Sequence, residues 1–148
     1  MRTYFIYLCL FLCVSCSNKN NETEIYREWA KEYYNSYAKK DLDKWIGFYN
    51  ENSEIHDITT GIVMKNRDSI LPMVTPAFNG TIPFYKDIKW NISHIVADGN
   101  KVSVKGSISN AYYKGKILPQ WDFISLIEFN NAGKIIKQFD FVNYPKLD

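Results

Sequence analysis

Asp140 is the side chain of this sequence whose neighbours most directly suggest chemistry. It lies between Phe139 and Phe141, and strand alternation sends it to the face that also carries Ile136 and Val142. A carboxylate on a partly apolar face either finds a partner or has its pKa raised, and a raised carboxylate is what general acid–base work uses. An edge salt bridge is the alternative. Asp57 stands before Thr59-Thr60-Gly61, where it can cap a turn and face water. Trp90, Asn110, Tyr112, Trp121 and Asp122 combine large aromatics with isolated polar groups, a mixture that lines ligand pockets but also fills sheet cores. His56 and His94 are the only histidines, far apart, with no H-x-x-x-H spacing and no partnering cysteine. That excludes the usual zinc patterns, and no cofactor motif is present.

Composition bounds what can position these groups. The chain has 148 residues, 46% hydrophobic and 23% charged, which suits one domain able to bury a core unaided. Its 18 basic and 16 acidic residues give a formal charge of +2, with no lysine or arginine run. Nucleic acid needs a concentrated basic face, so that class of partner is excluded.

The three cysteines, Cys9, Cys13 and Cys16, all lie at the N-terminus, so the part that follows has no disulfide framework. Met1-Arg2 is a positive start, Tyr4 to Val14 is an apolar run, and Ser15 is a small residue at a cutting position. The run is about half the roughly 20 residues that span a bilayer. Cys13-Val14-Ser15-Cys16 resembles a bacterial lipobox, in which the last cysteine receives diacylglycerol. Cys13 stands where leucine is usual, which keeps an ordinary cleaved secretory leader as the alternative. The resemblance implies a signal peptide over 1–15, lipid (palmitate-type acyl chains) on Cys16, and a polar tether over 16–22 including Ser17-Asn18-Lys19-Asn20-Asn21. Several acyl chains on one thiol make a stable anchor where one chain binds only marginally. The expected place is therefore the bacterial cell envelope, with the membrane as a partner.

Residues 23–148 are expected to fold. Asn21 and Glu24 form a capping-box-like start, and Tyr26, Ala30, Tyr33 and Tyr37 recur at helical spacing, predicting a helix over about Glu22 to Lys40. Asp41 can cap a second helix with Leu42, Trp45, Ile46 and Tyr49 as its stripe. Ser53 to Ile58 reads as a short strand. Asn66 can cap a third helix carrying Ile70, Leu71, Val74 and Phe78, which Pro72 and Pro76 should break or bend. Beyond Asn79-Gly80 come strands Phe84 to Ala97, Lys101 to Tyr113, Lys116 to Phe129 and Lys134 to Tyr144, separated by hairpin signals. Helices on one face of an antiparallel meander make an α+β domain.

That order resembles the nuclear-transport-factor-2-like superfamily and its SnoaL-like members, over roughly Ile25 to Tyr144. The residues that carry the resemblance are Asp41-Leu42-Asp43, Phe48-Tyr49 before a strand ending in Asp57, and Phe129 to Ile135 at the last hairpin. The resemblance implies a cone of three N-terminal helices on a curved, mainly antiparallel sheet, with a pocket between. Comparison with ketosteroid isomerases places Tyr33 at the helix tyrosine, Asp57 at the carboxylate base and Ser125 where that family has a protonated acid; Asp140 falls where several relatives carry an acid on the last strand. The leading expectation is a membrane-tethered domain that binds a small, largely apolar ligand. The alternatives are a cofactor-free isomerase, dehydratase or cyclase using Asp57 and Tyr33, and a structural or partner-binding envelope protein. The resemblance also implies a possible homodimer formed through the sheet.

Overall fold

Tyrosines at helical spacing can bury one stripe only if something packs on it, and here that is a curved sheet. The computed structural model describes residues 23–80, 88–114 and 116–146. The expected leader and tether over 1–22, with Cys16, lie outside the described residues, as does the start of the strand expected from Phe84. Helix α1 runs over residues 23–38 and buries Tyr26, Ala30, Tyr33 and Tyr34. It stops where Lys40 turns to φ 57°, with the Asp41 N–H closing back on the Ser36 carbonyl. The short α2, Leu42–Ile46, starts at Asp41, whose carboxylate accepts from the Lys44 N–H at 3.1 Å, and it buries Trp45 and Ile46.

Strand β1, Glu54–Asp57, is followed by β2, Val63–Lys65, a hairpin partner the sequence pattern did not suggest. The turn between them uses Gly61 at φ 75°. Helix α3, Asn66–Phe78, carries Pro72 and Pro76 within it, so of the expected break or bend the break does not occur. The carbonyls that the two prolines deprive of donors belong to Asp68 and Pro72, both exposed, so water can replace the lost bonds while Ile70 and Phe78 stay buried. The Asn66 side chain accepts from the Ser69 N–H at 3.0 Å, as a capping residue does.

The remaining strands are β3, Lys89–Asp98; β4, Lys101–Ser109; β5, Tyr112–Tyr113; β6, Lys116–Ile117; β7, Trp121–Phe129; and β8, Ile135–Val142. The two long runs expected between Lys101 and Phe129 are thus each divided. Asn110 adopts φ 60°, which ends β4, and β5 and β6 form a small sheet of their own before Pro119. The main sheet has the order β2-β1-β8-β7-β4-β3, and β1 lies parallel to β8, with Ile55 beside Gln138 and Asp57 beside Asp140. The meander is therefore closed by an early strand returning to the last one.

Two irregularities bend the sheet and change which side chains look inward. One, between Ile92 and His94, sits across from Gly106, where a β-carbon would come within 2.6 Å of the Asn91 carbonyl and 2.7 Å of the Phe123 ring. The other, between Glu128 and Phe129, shifts β8. Ile135 is buried and Ile136 exposed, so the face of Asp140 is shared with Gln138 and Val142, and the expected Ile136 is not on it. The same alternation buries Trp121, Phe123, Ser125 and Ile127 of β7 and exposes Ile124 and Leu126.

Candidate functional site

The concave face of the sheet and α1 enclose a cavity of about 210 Å³. Its wall is aromatic: Tyr34 and Tyr37 from α1, Trp45 from α2, Trp90 from β3, and Trp121 and Phe123 from β7. The rings interlock, with Tyr34 stacked on Phe123 at 5.6 Å and Trp90 edge-on to both Tyr37 and Phe123 at 4.8 and 5.1 Å. The polar side chains are gathered where β1, β7 and β8 meet: Asp57, Ser125, Gln138 and Asp140.

Asp140 is held by a set of donors that all point toward it. Ser125 Oγ donates to Oδ1 at 2.5 Å, and Gln138 Nε2 donates to Oδ1 and Oδ2 at 3.0 and 2.9 Å. Behind them stand tyrosines. Tyr34 donates to Ser125 Oγ at 2.7 Å, and Tyr49 donates to Gln138 Oε1 at 2.9 Å, which leaves Tyr33 to donate to Tyr49 across 2.8 Å. Gln138 and Ser125 are buried, at 3% and 2% exposure, so this orientation is fixed from the protein side. Burial pushes the Asp140 carboxyl up to about 6; its two hydrogen-bond donors oppose that rise and the charge of Asp57 adds to it. Burial likewise raises the Tyr33, Tyr34 and Tyr49 hydroxyls, so they remain neutral donors at physiological pH.

Asp57 borders the same cavity in a different setting. Its Oδ1 accepts from the Thr59 and Thr60 N–H groups at 2.9 and 3.0 Å, and its Oδ2 accepts from the Tyr144 hydroxyl at 2.6 Å. It is a turn cap at the rim as well as a cavity residue.

Of the side chains singled out from sequence, Tyr33, Asp57, Asp140, Trp90, Trp121 and Ser125 border this cavity. Asn110, Tyr112 and Asp122 do not. Asn110 is the left-handed residue that ends β4, Tyr112 is 38% exposed in the small β5–β6 hairpin, and Asp122 is on the outer face because Trp121 and Phe123 take the inner one. Tyr33 reaches the cavity wall, but its hydroxyl pairs with that of Tyr49 and not with Asp140. His56 is on the outer face, 2.9 Å from Glu54, which also has Lys65 and Lys137 at 3.6 Å. No group of three or more potential metal-binding side chains occurs among the described residues.

Gln138, Tyr34 and Tyr49 were missed in the sequence. Gln138 had a signal, standing two residues before Asp140 and hence on the same strand face. The tyrosines had none beyond their places in apolar stripes, since the contacts that give them polar roles join residues 91 and 89 positions apart.

No curated protein sequence matches the chain at a significant level. Among solved structures, a protein from Kribbella flavida assigned as a ketosteroid isomerase superposes with a TM-score of 0.65 at 16% identity, over 86% of this chain and 84% of that one. One from Shewanella denitrificans assigned as a SnoaL-like polyketide cyclase gives 0.69 at 19% identity, over 81% and 91%. An NTF-2-like protein of unknown function from Burkholderia xenovorans gives 0.64 at 18%, over 86% and 89%. At these identities the likeness establishes the fold, a nuclear-transport-factor-2-like cone of the kind that houses ligand-binding and isomerase or cyclase proteins. The sequence profile of the SnoaL-like domain matches residues 30–138, and the chain belongs to that family.

Proposed function

We propose that this chain is a SnoaL-like domain tethered to the bacterial envelope through lipid on Cys16, and that it takes one small, largely apolar molecule into the cavity between α1 and the sheet. The observation that carries the binding half is the shape of the site: an aromatic wall with one polar corner around Asp140. Ligand pockets are mostly apolar with a few convergent polar groups. At about 210 Å³ the cavity is smaller than the roughly 300–1,000 Å³ common for drug-sized ligands, which points to a molecule about the size of a substituted benzene.

A second reading is favoured by the raised Asp140 carboxyl. A group with a pKa of about 6 is poised to exchange protons near neutrality, which a cofactor-free isomerase, dehydratase or cyclase needs. In that reading Asp140 is better suited than Asp57 to move the proton.

The test titrates the full chain in detergent with benzyl alcohol, following tryptophan fluorescence, since Trp45, Trp90 and Trp121 border the cavity. Saturable quenching that Trp121→Ala abolishes is expected, and its absence up to tens of millimolar would sink the binding reading. Screening ketones, epoxides and hydroxyacyl compounds for turnover decides the enzymatic reading. For the tether, Cys16→Ser is expected to lose fatty-acid labelling and leave the membrane fraction; unchanged labelling removes that half.

A further inference from the structure

We infer that the cavity is built for an organic cation, an aromatic or alicyclic amine whose ammonium group docks between Asp140 and Asp57 while its hydrocarbon part lies against the tryptophan and tyrosine faces. This rests on the binding reading above and names the chemical class of the ligand.

The first observation is charge. Asp57 and Asp140 sit beside each other on β1 and β8, both facing the cavity, and no lysine, arginine or histidine borders it among the described residues. The described ion pairs, at Glu24, Glu28, Glu32 and Glu54, all involve other carboxylates. A carboxylate carried into a protein interior is held by a counter-charge or a metal, or it neutralises. Asp140 has hydrogen bonds but no cation, and a ligand ammonium supplies what is missing.

The second observation is the direction of the hydrogen bonds. Every hydroxyl and amide in the network around Asp140 aims its proton toward that carboxylate: Tyr33 to Tyr49 to Gln138, and Tyr34 to Ser125. The Tyr144 proton is likewise committed to Asp57. The polar corner therefore presents acceptor lone pairs, and an incoming group that complements it must be a donor. An ammonium is a donor with charge.

The third observation is the wall. Trp45, Trp90, Trp121, Tyr34 and Tyr37 surround the space with π faces, which attract a cation and are indifferent or unfavourable to an anion. The buried indole N–H of Trp90 has no hydrogen-bond acceptor in the described residues. It is the group to which a ligand led by a neutral carbonyl would turn, so a ketone is the natural competitor in a test.

Isothermal titration of the full chain at pH 7.5 with benzylamine, benzyl alcohol, acetophenone and benzoate separates these cases, because the four are alike in size and differ in charge and donor character. Benzylamine, as the ammonium, is expected to bind at least tenfold tighter than benzyl alcohol or acetophenone, with benzoate weakest. Asp140→Asn is expected to remove most of that preference, and Asp57→Asn a smaller part. The wild-type comparison stands even if a variant is unstable. Equal affinity for benzylamine and benzyl alcohol, or preference for acetophenone or benzoate, overturns the inference and leaves the binding reading intact; no binding of any of the four defeats both.

Discussion

Asp57 and Asp140 are neighbours in register on adjacent parallel strands, and both face the same cavity, yet they are used in different ways. Asp57 is the last residue of β1, where backbone N–H groups of the following turn are unpaired and close at hand, so its carboxylate closes that turn and takes the Tyr144 hydroxyl. Asp140 sits within β8, where the backbone is already paired and only side chains can reach it. The protein supplies those side chains from four places: α1, the segment after α2, β7 and β8 itself. A carboxylate at a strand end is satisfied locally. One inside a sheet needs a network, and the network makes it sensitive to burial.

The largest expected effect sharpens this contrast at Gln138. Gln138→Leu removes the donor that spans both Asp140 oxygens and takes from the Tyr49 hydroxyl its acceptor in the core; together these should cost about 3–5 kcal/mol, read from urea unfolding. A loss below about 1 kcal/mol would show that the network is incidental. Next comes the pH dependence of Asp140. Because its folded pKa is raised from 3.8 to about 6, the folded chain binds the proton more tightly than the unfolded one. That stabilisation is complete below about pH 4 and is lost as pH rises through about 6, to a total of at most about 3 kcal/mol. Relative to Asp140→Asn, the wild type should therefore lose stability between those pH values, and parallel stability curves for the two proteins would contradict the assignment.

Smaller again is Asp57→Asn, where an amide oxygen can still cap the Thr59–Thr60 turn. Its affinity for benzyl alcohol should stay within about tenfold of wild type, or roughly 1.4 kcal/mol. If it loses more than Asp140→Asn does, the roles of the two carboxylates are reversed. The smallest effect belongs to Tyr144→Phe at the exposed rim, 42% exposed, where water can replace the lost hydroxyl and the cost in unfolding free energy should be below about 1 kcal/mol. A cost matching that of Gln138→Leu would erase the distinction between rim and interior.

Much of this molecule was legible in its sequence, for a reason that lies in periodicity. Tyr26, Ala30, Tyr33 and Tyr37 repeat at helical spacing and Trp121, Phe123, Ser125 and Ile127 repeat at strand spacing, so local geometry alone dictates which faces must be covered. Asp41, Asn66 and the hairpin turns acted within a few residues of themselves and could be read in the same way. The order of those elements was enough to bring out the SnoaL-like resemblance, and Asp140 stood out because it interrupts an apolar strand.

What the sequence could not carry was anything that depends on one strand meeting another far along the chain. The parallel pairing of β1 with β8 sets Asp57 beside Asp140 across 83 positions, and no local pattern encodes it. The shift at the start of β8 moved Ile136 outward, since one irregular residue inverts which side chains share a face. Asn110, Tyr112 and Asp122 had suitable chemistry and the wrong orientation. By itself the sequence determined the stripes, the caps and the presence of an acid among aromatics, because each is a property of neighbouring residues. Only the tertiary structure decided that Tyr34, Ser125, Tyr49 and Gln138 would all point their protons at that acid, because hydrogen-bond direction is fixed only when the groups are already packed together.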